Sequence, residues 1–304
     1  MFGHTSRSTA RGALAVAILV LALGQARAED QAAQTEPVKI GMIGTLFRDV
    51  PETTVLVMMA PFGAVMQAQT GVSGEIVPGG DAESVGERLA TDKLQLAVFH
   101  GIEFAWARQK HPELRPLMIA INAQRHLRAH LIVRTDSPAT GVKDLHDQAF
   151  ALPRQTREHC HLFVERQCRS CKKEPRAFFS KITTPANAEE ALDDVLDGIV
   201  QATVIDGVSL DCYRRRKPGR FTKLKILDTS EVFPAAVVAY KPGALDESTL
   251  KRFREGMMTA NQTILGRQLL TLWKLTGFEP VPEDYEQTLA EIVKSYPAPA
   301  KSSK

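Results

Sequence analysis

The 304-residue chain carries 38 Lys and Arg against 35 Asp and Glu, but three of its arginines lie in the first 28 residues, which hold no acid, so the remainder balances at 35 of each. A neutral body gives no electrostatic reason to bind nucleic acid or an anionic membrane surface. Beyond the N-terminal leader no apolar run reaches the roughly 20 residues that span a bilayer, and the length suits one large domain or two of ordinary size.

Arg7 and Arg11 precede an apolar run from Ala13 to Leu23, and Ala26-Arg27-Ala28 places small residues where a signal peptidase reads. Residues 1–28 are therefore predicted to be a cleaved secretory signal peptide, with the mature chain in the periplasm and no membrane insertion after its removal. Residues 29–37 are polar and read as a disordered leader. Val38-Lys39-Ile40-Gly41-Met42-Ile43-Gly44 alternates and stops at glycine as a first strand does, which puts Thr45 and Phe47 at its carboxyl end, where open α/β sheets hold ligands. A helix is expected from Pro61 to Thr70, a strand at Glu75-Ile76-Val77, and a helix from Ala82 to Ala90.

The run Leu94-Gln95-Leu96-Ala97-Val98-Phe99 reads as a buried strand that breaks at His100-Gly101 and turns into a helix near Glu103. At such a corner the first amide N–H groups of the helix are unpaired, and glycine lets a ligand approach the main chain. Strands follow at Leu117–Ile121 and His130–Arg134, separated by a polar stretch with Arg125 among its cationic donors. Asp136-Ser137-Pro138 marks the expected passage into a second lobe. That lobe is predicted to hold strand Ala149–Leu152, helix Thr156–Cys168, strand Phe178–Ile182, helix Ala188–Asp197, strand Ala202–Ile205 and helix Val208–Arg216. Ala202-Thr203-Val204-Ile205-Asp206-Gly207 repeats the corner design with an acid before the glycine. A return near Thr229–Phe233 leads to strand Ala235–Tyr240 and to helices Leu250–Thr259, Ile264–Thr276 and Tyr285–Lys294, with residues 297–304 as a disordered tail.

Arg154-Gln155-Thr156-Arg157 follows a strand and opens a helix; Thr156 as N-cap, free N–H groups behind it and two guanidinium groups suit an oxyanion. Asp206 is both an N-cap and a candidate ligand group. Cys160, Cys168, Cys171 and Cys212 leave two readings open: two disulfides, as exported proteins favour, or a thiolate and imidazole metal site drawing on His159 or His161. Hydrolase, metalloprotease and phosphate-loop motifs are absent, which favours binding over catalysis.

The segment Leu89–Gly101, with Asp136-Ser137-Pro138, Lys143-Asp144-Leu145 and Leu196–Ala202 after it in the same order, resembles the phosphonate-binding-protein-like solute receptors of ABC transporters. The resemblance implies a type II periplasmic-binding-protein fold, α/β with two lobes and a hinge crossed twice: residues 38–134 and 234–296 as lobe 1, 135–233 as lobe 2. It also implies a monomeric, cofactor-free, non-enzymatic receptor for a small anionic solute (phosphate, phosphite or phosphonate-like), working with an ABC permease. Thr45, Phe47, His100, Gly101 and Arg125 would line one wall of the cleft, and Arg154, Gln155, Thr156, Arg157 and Asp206 the other. That family carries a hydroxyl-rich Ser-Thr-Ser-Gly turn where this chain has Arg154-Gln155-Thr156-Arg157. A metal-binding or redox protein built on the cysteine helix, or a sensing domain for a signalling partner, are the alternative expectations.

Overall fold

The computed structural model describes residues 36–60 and 62–299. The predicted signal peptide, most of the predicted leader and residues 300–304 of the predicted tail lie outside the described residues, and Val38 onward forms one unit.

The chain builds two mixed sheets joined by a small third one. In the first, β1 (Val38–Met42) pairs in parallel with β2 (Gly74–Pro78) and β3 (Leu96–Phe99). Antiparallel β12 (Ala236–Tyr240) is inserted between β3 and β4 (Arg115–Ile121), and β13 (Gly277–Glu279) closes the far edge. In the second, β7 (Ala149–Ala151) lies parallel to β8 (Lys181–Thr183) and β9 (Ala202–Asp206), while β6 (Ala129–Arg134) runs antiparallel to β9 and to β10 (Leu224–Thr229). Between the sheets β5 (His126–Leu127) pairs with β11 (Phe233–Pro234), so the two connecting strands are held side by side.

Helices cover the sheets because their apolar faces need them. On the first lobe, α1 (Glu52–Met59) and α2 (Phe62–Thr70) are followed by α3 (Ala82–Ala90), which starts where Asp81 accepts from the Ser84 amide, and by α4 (Gly101–Lys110). Val85 and Leu89 of α3 join Phe99, Phe104, Ile119 and Val237 in that lobe's core. On the second lobe, α5 (Glu158–Ser170), α6 (Pro175–Phe178), α7 (Ala188–Leu196), α8 (Gly207–Arg216) and α9 (Pro218–Phe221) surround a core containing Phe150, Phe163, Phe178 and Val204. The chain ends with α10 (Glu247–Met258), α11 (Ile264–Leu272) and α12 (Tyr285–Ser295) back on the first lobe and the hinge.

Two expectations are corrected. The first passage between sheets runs through residues 122–128, not Asp136, because β6 pairs in the second sheet. An apolar run announces a strand but carries no information about which sheet will hydrogen-bond to it. Asp136 instead closes a turn after β6, taking two bonds of 2.9 Å from Arg134. The strand expected over Phe178–Ile182 starts only at Lys181, since Pro175, with its preset backbone angle, begins a helical turn that runs to Phe178.

Among the described residues no helix is long and apolar enough to cross a membrane.

Candidate functional site

The corner after β3 is built by main-chain necessity. The backbone turns at His100, and α4 begins at Gly101. A Cβ at Gly101 would lie 2.5 Å from the carbonyl oxygen of Ala235 and 2.6 Å from that of Pro234, so only glycine lets this helix start rest on the hinge. His100 makes no side-chain cap bond, and the first amides of α4 have no intrahelical partner. The start of α5 in the other lobe is similarly uncapped, with Arg157 at the N-cap position. The start of α8 differs: the Asp206 carboxylate accepts from the amides of Val208 and Ser209, both at 3.1 Å, and from the Ser209 hydroxyl at 2.6 Å.

Charged groups converge on the two uncapped helix starts. Arg48, just past β1, donates Nε and Nη2 to Glu158 Oε2 at 2.9 and 2.6 Å, joining the lobes across the cleft. Lys274 of the first lobe donates to Gln155 of the second. Thr45 donates its hydroxyl to Glu103 Oε2 at 2.7 Å. Glu103 is only 4% exposed, and burial pushes its carboxyl up to about 8, with the neighbouring Glu158 acting in the same direction and the Thr45 bond opposing. It is therefore uncharged at neutral pH. Burial likewise raises Glu158, against the pull of Arg48.

Two imidazoles complete the corner. Burial lowers His100 to about 4, and Arg157 and Arg48 push the same way; a ring nitrogen bonds the Thr45 backbone. Burial lowers His159 to about 3, with Arg157 and His100 adding to the effect and Asp206 opposing it; this ring bonds the Arg128 backbone and leans on Phe233 at 5.6 Å. In both residues Nε2 is buried with no hydrogen-bond partner. With neutral imidazoles and a neutral Glu103, Arg48 held by Glu158 and Asp206 spent on the cap of α8, Arg157 is left among the described residues as a guanidinium without an ion pair beside the unpaired amides of the two helix starts. That combination receives an anion.

Of the residues singled out by sequence, Thr45, His100, Gly101 and Arg157 come together here, with Asp206 close enough to act on His159. Phe47 packs edge-on against Trp273 at 5.7 Å. Arg154 lines instead a groove of about 1000 Å³, together with Arg48 and Asp49 of the first lobe and His161 of the second. Gln155 sits in a left-handed turn with φ 57° and takes the Lys274 bond. Thr156 is not the N-cap: its hydroxyl donates to the Pro153 carbonyl, and the helix starts one residue later. Arg125 pairs with Glu279 at the surface, away from the corner. Arg48, Glu103 and Glu158 were not singled out. An acid between Ile102 and Phe104 was the available signal for Glu103; nothing local marks Arg48 or Glu158, whose pairing spans 110 residues.

The cysteine expectations are corrected as well. All four are free thiols. Cys160 and Cys168 lie two turns apart on α5, about 12 Å along its axis, and both are sunk in the second lobe's core beside Phe163. Cys171 ends that helix, and the half-buried Cys212 on α8 takes a bond from Arg215. No group of three or more His, Cys, Asp or Glu among the described residues is arranged to hold a metal.

Comparison with known proteins gives the family and the fold. The family described as ABC transporter, phosphonate, periplasmic substrate-binding protein matches residues 47–285. No curated protein matches at a significant level. Among solved structures, XAC2383 from Xanthomonas citri, bound to chloride ion, is 17% identical with TM-score 0.58, over 85% of this chain and 96% of its own. PhnD1 from Prochlorococcus marinus, in complex with methylphosphonate, is 14% identical with TM-score 0.55, over 84% and 97%. A binding protein component of an ABC phosphonate transporter from Pseudomonas aeruginosa is 14% identical with TM-score 0.52, over 87% and 91%. At these identities the solved structures establish the fold, and the family match covers well over half of the sequence. The chain therefore belongs to the phosphonate-type periplasmic substrate-binding proteins of ABC transporters, which are receptors and not enzymes.

Proposed function

We propose that this protein is exported through a cleaved signal peptide, closes its two lobes as a monomer on a small oxyanion of the phosphate, phosphite or phosphonate class, and delivers it to a membrane permease. The observation that carries this reading is the meeting of two uncapped helix starts from opposite lobes, at His100 and Arg157, with Arg48 and Arg157 as the cations beside them. Each helix start presents unpaired N–H groups and the positive end of a helix dipole. A ligand touching both lobes favours the closed form by its differential affinity for it, and the hinge of β5 and β11 is the element that moves. The Prochlorococcus marinus protein, solved with methylphosphonate, supports the same ligand class.

The test is thermal unfolding of the mature protein against phosphate, phosphite, methylphosphonate, sulfate and simple carboxylates, since a ligand specific to the native state raises the midpoint. Arg157→Ala should then weaken the best anion on the order of tenfold to a hundredfold, the value of one charged hydrogen bond, with the unliganded midpoint little changed. Unaltered affinity in that variant removes Arg157 from the site.

A further inference from the structure

The anion-binding reading leaves one feature of the corner unused: the bare Nε2 atoms of His100 and His159. An arginine-lined site for a fully ionised oxyanion needs donors only, and a buried acceptor there is a liability. His159 is 5% exposed, and its Nε2 has no partner. Its other ring nitrogen is committed as the donor to the Arg128 carbonyl, which fixes the tautomer and leaves Nε2 as a lone pair. No nearby carboxylate can serve that lone pair. The foremost charge acting on the ring is Asp206, itself an acceptor and already spent on capping α8. Arg157 acts on both rings, and His100 has Arg48 beside it in addition.

Resting on the receptor reading above, we infer that His159 Nε2 accepts a hydrogen bond from the ligand itself, so that the corner selects an oxyanion carrying a proton, as a singly ionised phosphonate does through its P–O–H group, and rejects anions of the same shape and charge without one. The ionised oxygens would go to the helix amides and guanidinium groups, and the hydroxyl to His159. Discrimination of this kind is strong because the wrong ligand leaves a buried acceptor unmade, which costs more than the bond itself contributes.

Methylphosphonate and methanesulfonate separate the possibilities. Near pH 6.5 both are predominantly monoanions of closely similar size, and only the first has a hydroxyl. Titration calorimetry of the mature protein should find methanesulfonate weaker on the order of a hundredfold, and His159→Phe, which keeps the ring against Phe233, should narrow that gap by weakening methylphosphonate alone. Equal affinities in the wild-type protein, a comparison that needs no variant, overturn the inference while leaving the receptor reading intact. Binding of neither, across the whole oxyanion panel, overturns both. A response to Zn²⁺ with no response to any oxyanion also overturns both, since the lone pairs would then serve a metal.

Discussion

Glu103→Gln turns the buried acid of the corner into a measurement. The wild-type carboxyl moves from an ordinary 4.5 to about 8 in the folded chain. Below pH 4.5 both folded and unfolded states hold the proton, and the side chain's contribution to stability is fully present. Between the two values the unfolded chain ionises and the folded one does not, so stability falls by about 1.4 kcal/mol per pH unit. Above 8 both states are ionised and the loss is complete. At pH 7 the accumulated loss is on the order of 3 kcal/mol, from about 2.5 units at that slope. Glutamine accepts the Thr45 bond and never ionises, so the variant should escape the loss. Its midpoint should match the wild type near pH 4.5 and exceed it by roughly 6 to 12 °C at pH 7, taking about 2 to 4 °C per kcal/mol for a chain of this size. The four histidines lowered by burial, His100, His130, His159 and His161, act on the other limb, adding stability as pH rises toward 6.5 and nothing beyond it. Differential scanning calorimetry of both proteins from pH 4.5 to 8.5 reads the difference directly. Parallel profiles would show that Glu103 is ionised in the native corner and refute the reasoning.

Two further predictions concern the scaffold. Gly101→Ala should lower the unfolding midpoint by several degrees, because the new methyl meets two backbone oxygens of the hinge that cannot swing aside; an unchanged midpoint would mean the helix start does not rest there. Thiol titration of protein purified under oxidising conditions should find four reactive groups after denaturation, with Cys171 and Cys212 reacting in the native state while Cys160 and Cys168 stay protected. Two or fewer thiols after denaturation would restore the disulfide reading.

The sequence was informative where a signal is local. Helix Ala82–Ala90 is legible to the residue because Asp81 caps it and its apolar positions recur at helical spacing. The His100-Gly101 corner is legible because strand propensity gives way to glycine at one point, although the helix begins two residues before the acid that suggested it. Asp206 before Gly207 is equally plain, and the structure assigns its carboxylate to capping. At Thr156 the same local logic named the wrong residue, since the hydroxyl found a carbonyl three residues back and the cap passed to Arg157.

By itself, then, the chain's sequence determined the alternation of strands and helices, the two glycine corners and the polar connections between them, all set by hydrophobic period and backbone freedom over a few residues. Tertiary structure alone decided that β6 belongs to the second sheet, that Arg125 is drawn away by Glu279, that the four cysteines stay free thiols, and that Arg48, Glu103, Glu158 and His159 meet at one corner. Those outcomes depend on strand pairing and burial between segments far apart in the chain. The shifted protonation of Glu103 and His159 follows from that burial, because desolvation exists only once the chain has folded around them.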